Sequence, residues 1–134
     1  MTDFLRKARL AMDDLVQFFN ILSDETRLRI LTLLAGQELC VCELAEILNV
    51  PQPKVSRHLG KLRDVGLVKD MRRGQWVFYG LTANEPLEQD ILAMIVQQRE
   101  KYPVLLADAK GLELRRREGK MCSRTGSREE QKLV

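Results

Sequence analysis

Val41-Cys42-Glu43-Leu44-Ala45-Glu46-Ile47-Leu48, then Asn49-Val50-Pro51-Gln52, then Pro53-Lys54-Val55-Ser56-Arg57-His58-Leu59-Gly60-Lys61-Leu62-Arg63-Asp64-Val65, forms two helical patterns with a break between them. Leu44, Ile47 and Leu48 recur at helical spacing in the first, and Val55, Leu59 and Leu62 in the second. Pro53 suits a first helical position, because its missing N–H has no helical partner to lose. Gly66 closes the second helix. Two helices of these lengths joined by a tight turn predict a helix-turn-helix.

Upstream, Phe4, Ala8, Ala11, Leu15, Phe18, Phe19 and Leu22 predict an amphipathic helix from about Asp3 to Leu22. Ser23 reads as the N-cap of a second helix, with Asp24 and Glu25 in its first turn, Leu28, Leu31 and Leu34 on one face and Gly36 as its stop. Downstream the period changes. Leu67–Met71 and Trp76–Leu81 are rich in β-formers and flank Arg72-Arg73-Gly74-Gln75, which predicts a β-hairpin. A last helix runs from Pro86 to about Lys101; Pro103 interrupts it, and Val104–Ala109 has room for a further turn or two. The order predicts a mainly α, winged helix-turn-helix domain over residues 1–109. Residues 110–134 are polar and charged, and predict a flexible tail.

The 134 residues suffice for one compact domain. With 22 basic and 19 acidic residues the net charge is +3, which permits nucleic-acid binding without demanding it. No apolar stretch approaches the roughly 20 residues that span a bilayer, and no leader pattern is visible. Three cysteines outside any disulfide framework point to a reducing, cytoplasmic setting. A thiol reductase is the main enzymatic reading, but no acid, base or phosphate-cradling loop accompanies the thiols, so we expect no enzyme.

The side chains off the apolar stripe of the second helix are Gln52, Lys54, Ser56, Arg57, His58 and Lys61. Glutamine can read adenine and arginine guanine, while serine and lysine suit phosphates. The plain alternative is a solvated helix face. Arg72 and Arg73 at the hairpin tip repeat the basic theme and favour contact with double-stranded operator DNA. His58, the only histidine, fits a base or phosphate contact, a packing role or a lone metal ligand. The apolar stripes of the first and last helices exceed what so small a domain can cover, which predicts a homodimer about a two-fold axis.

Glu38-Leu39-Cys40-Val41-Cys42-Glu43-Leu44 places two thiols at the mouth of the first of the two helices. Three readings stand side by side: apolar core residues, a redox pair, or ligands of a soft ion. The helix N-terminus favours thiolates there. Side chains two positions apart on a regular helix diverge by roughly 200°. An ion shared by Cys40 and Cys42 is therefore expected to unwind the first helical turn, which would disturb the DNA-reading helix behind it.

Leu22-Ser23-Asp24-Glu25-Thr26-Arg27-Leu28-Arg29-Ile30-Leu31, the stretch from Glu38 to Leu44, Val55-Ser56-Arg57-His58-Leu59 and Gly66-Leu67-Val68, in this order, resemble the ArsR/SmtB family of metal-responsive repressors over roughly residues 10–102. The Cys-Val-Cys stretch looks like the arsenic-responsive branch. The resemblance implies an operator-bound homodimer, joined through its first and last helices and released by arsenic(III) or antimony(III), with no organic cofactor. It assigns thiol ligands to Cys40 and Cys42, and DNA contacts to Gln52, Ser56, Arg57 and His58. Two departures matter. Ala45 stands where that branch often has a third cysteine, so Cys122 could complete the site from the same or the partner subunit, stay a free thiol, or leave a two-thiol site suited to a mono-organo-arsenical. The last helix has no histidine, which argues against the zinc site of some relatives. Competing readings are a cadmium/lead-responsive repressor of the same family and a thiol-based redox-sensing regulator.

Overall fold

The computed structural model describes residues 2–83 and 85–122. Among the described residues, six α-helices, α1 (Thr2–Leu22), α2 (Glu25–Leu33), α3 (Val41–Leu48), α4 (Gln52–Asp64), α5 (Pro86–Gln97) and α6 (Pro103–Arg117), with a short 3-10 helix (Arg99–Lys101) between the last two, surround a three-stranded antiparallel sheet. Its strands are β1 (Leu39–Cys40), β2 (Val68–Arg73) and β3 (Trp76–Leu81), in the order β1-β3-β2. The helix-turn-helix is α3 and α4, and β2 and β3 form the wing. Among the described residues, no helix is long and apolar enough to cross a membrane.

Local chemistry explains the joints. Asp24, one residue later than expected, caps α2 by accepting the Arg27 N–H at 3.0 Å, while the Ser23 hydroxyl turns back to the Asn20 carbonyl. Asn49 adopts a left-handed conformation (φ 55°) between α3 and α4, which asparagine tolerates better than most residues. The Pro51 carbonyl accepts from the amides of Lys54 and Val55, so α4 begins at Gln52 rather than Pro53. The expected stripes are in place: Leu44 and Leu48 of α3, and Val55, Leu59 and Leu62 of α4, are buried together with Ile30, Leu31 and Leu34 of α2.

Two features depart from the sequence reading. β1 is a two-residue strand that pairs with the wing, Leu39 opposite Tyr79 and Cys40 opposite Phe78. The expected boundary at residue 109 falls inside α6, which runs on to Arg117 because it has its own buried face, Leu105 and Leu112. Asp108, almost fully buried, accepts from Arg29 at 2.8 and 2.9 Å, and the same guanidinium donates to the Leu48 carbonyl before the α3–α4 turn. Arg115 pairs with Glu46 of α3. So residues 110–117 belong to the folded domain; residues 123–134 of the expected tail lie outside the described residues.

Candidate metal centre and nucleic-acid face

The end of α6 decides where the third thiol goes. Gly119 takes φ 68°, and the amides of Gly119 and Lys120 return to the carbonyls of Arg116 and Arg115, at 3.2 and 2.9 Å. This is a Schellman turn, and its left-handed residue suits glycine. The chain folds back, and Cys122 is buried between α3 and the wing, against Cys40 and Phe78.

There the three sulfurs meet. Cys40 Sγ lies 2.8 Å from Cys42 Sγ and 3.2 Å from Cys122 Sγ, and Cys42 and Cys122 are 3.6 Å apart. No disulfide joins any two of them. Sulfurs held about 2.3 Å from one central atom with near-right angles between the bonds stand about 3.3 Å apart, and the trio lies within about half an ångström of that spacing. The expectation that α3 must unwind is therefore corrected. Cys40 is not helical: it is the N-cap, in an extended conformation (φ −89°, ψ 167°), and only Cys42 lies within the helix. The strand-to-helix bend, rather than helical spacing, brings the two sulfurs together.

The electrostatics are those of one thiolate shared among three sulfurs. Hydrogen bonding from Cys40 lowers the Cys42 thiol to about 6, and the N-terminal turn of α3 works in the same direction. Cys40 is raised well above the ordinary thiol range by donating to Cys42 and by burial. Burial pushes Cys122 up to about 11. Cys42, the most exposed of the three, carries the charge.

One partner was missed. Glu43 is fully buried; its Oε1 accepts from the Cys40 amide and its Oε2 from the Cys122 amide, both at 2.9 Å. The sequence did hold a signal, a glutamate three residues after an N-cap, the spacing of a capping box. Phe78 and Trp76 of β3 complete the wall around the thiols.

On α4, Gln52, Lys54, Ser56, Arg57 and Lys61 all lie on the exposed face. His58 is half-buried; burial lowers its pKa, against an upward pull from Asp24, so it faces the start of α2 as much as solvent. Arg72 and Arg73 end β2 rather than forming the tip. Arg72 is exposed, whereas Arg73 pairs with Glu38 at 2.8 Å and lies over the Phe78 ring.

Residues 24–70 match the family described as bacterial regulatory protein, arsR family. The arsenic resistance transcriptional regulator ArsR2 of Pseudomonas putida is 55% identical over 69 residues, 51% of this chain and 60% of that protein. The arsenical resistance operon repressor of Escherichia coli is 51% identical over 72 residues, 53% of this chain and 62% of that protein. The chain thus spans about three fifths of the length of these curated relatives. Among solved structures, the homodimeric winged helix-turn-helix DNA-binding domain of a possible ArsR-family transcriptional regulator from Mycobacterium bovis superposes with a TM-score of 0.58 at 28% identity, covering 71% of this chain and 87% of that one.

Proposed function

This chain belongs to the arsR family of bacterial regulatory proteins, and on that premise we propose that it is a metalloid-responsive transcriptional repressor. It holds operator DNA as a homodimer in a reducing cytoplasm, and lets go when Cys40, Cys42 and Cys122 take up arsenic(III) or antimony(III). The observation that carries this reading is the three-sulfur cluster at the foot of the helix-turn-helix, all pairs within 3.6 Å. Soft thiolates select such an ion over hard cations.

Gln52, Lys54, Ser56, Arg57 and Lys61 present the surface that enters the major groove, with His58 at its margin. Arg72 reaches the flanking backbone, while Arg73 braces the base of the wing through Glu38. Exposed apolar side chains on α1 (Phe4, Leu5, Met12, Val16) and on α5 (Leu87, Met94) supply the surface for a second copy.

Coupling needs no unwinding of α3. Cys40 is paired with Phe78 across β1 and β3, and Cys42 opens α3, which packs on α4. Holding all three sulfurs on one atom locks strand, wing and reading helix into one arrangement. The inducer then acts through its different affinities for two arrangements. A loss of 1.4 kcal/mol in DNA affinity is already about tenfold.

The test is an operator gel shift titrated separately with arsenite, antimonite, cadmium, lead and zinc. Arsenite and antimonite should release the wild type, while Cys40→Ser and Cys42→Ser stay bound. Normal release of either variant would place the inducer site elsewhere.

The same thiols support a second reading, a redox switch in which Cys122 and Cys42 close a disulfide. Release by peroxide under metal-free conditions, with no response to arsenite, would favour it.

A further inference from the structure

The fully buried Glu43 joins two cysteines that are 82 positions apart in the chain by accepting both their backbone amides, at 2.9 Å each. A helix cap needs only one of those bonds. The second holds the returning arm and so delivers Cys122 to the other two sulfurs. We propose that Glu43 is the specificity-determining residue of this centre, favouring a trivalent metalloid, whose loaded complex is neutral, over a divalent soft cation. This rests on the reading of Cys40, Cys42 and Cys122 as the inducer site.

The argument is one of charge. The Cys42 thiolate, two thiols, one proton and arsenous acid give three As–S bonds and three waters, with no redox change and no net charge left on the sulfurs. A divalent cation taken by the same three sulfurs expels two protons and keeps the charge of minus one that Cys42 already carries. The Glu43 carboxylate sits with one oxygen on each of these two cysteine amides, beside the sulfurs. Its field opposes negative charge at each of the three sulfurs. In a water-poor pocket that repulsion persists around the divalent ion and is relieved in the neutral complex, which favours the metalloid. A residue serving only as a helix cap would instead support both kinds of loading equally.

The full chain is titrated separately with arsenite and with cadmium, as wild type, Glu43→Gln and Cys122→Ser. Glu43→Gln should lower the ratio of arsenite to cadmium affinity by about tenfold or more, because arsenite binding no longer relieves a repulsion. An unchanged ratio, both affinities falling together, would leave Glu43 a cap and overturn the proposal. Cys122→Ser lies beyond the last helix and decides the matter should Glu43→Gln fail to fold. With two thiols the divalent complex is neutral and arsenite lacks its third bond, so the ratio should fall here too; equal losses for both ions would overturn the charge argument. A wild type that takes up no arsenite would sink the reading of the site itself, whereas uptake with an unmoved ratio in the variants sinks only the role of Glu43.

Discussion

Cys42 stands in the first turn of α3, within hydrogen-bonding distance of two other thiols, and its value near 6 makes it the nucleophile of the group. Only the thiolate reacts with an alkylating agent. Iodoacetamide should therefore modify Cys42 first, at a rate that is nearly flat above neutral pH and falls as pH drops through about 6. Mass spectrometry of the singly modified protein checks this; first attack at Cys40 or Cys122, or a midpoint in the ordinary thiol range, would contradict it. At this scale the sequence was readable by residue type and silent on conformation. The Cys-x-Cys spacing offered soft-ion ligation beside a core and a redox reading, but the helical angle between the two side chains misled, because Cys40 has left the helix for a strand. Nothing in the order of residues says that an N-cap thiol will point at its neighbour.

At the scale of elements, the turn after α6 does the work of assembly. Gly119 has open space where a Cβ would sit, so a substitution there meets only the backbone penalty of its positive φ. Gly119→Ala should cost about 1 kcal/mol. It should also loosen the arm, seen as faster alkylation of Cys122 with no change in the helical signal of the remainder. An unchanged Cys122 rate would mean that the Glu43 bond holds the arm without help from the turn. The helix-turn-helix and the hairpin were legible, since each shows its own period and its own stop signals. β1 was not, because two residues carry no period and the strand exists only by pairing with β3. The length of α6 was hidden by its charged surface: Leu105 and Leu112 lie two turns apart among polar residues, and Asp108 reads as solvent-facing until Arg29 is seen opposite it.

For the whole molecule, the consequence is that α6 and the arm after it both bear on the helix-turn-helix. The buried Arg29–Asp108 pair ties α6 to α2, and the Arg29 bond to the Leu48 carbonyl reaches the turn ahead of α4. The thiol cluster ties the end of the same arm to β1, to α3 and, through Phe78, to the wing. An ion seated among the sulfurs would bear on β1, α3 and the arm and, through Phe78, on the wing. No single stretch of sequence could show this, because Cys122 lies 80 positions from Cys42. The most direct measurement is arsenic X-ray absorption on the arsenite-loaded protein and its Cys122→Ser variant. The account predicts three sulfur neighbours and no oxygen around arsenic in the wild type, falling to two sulfurs and one oxygen in the variant. Two sulfurs in the wild type, or a spectrum indifferent to the loss of Cys122, would contradict it.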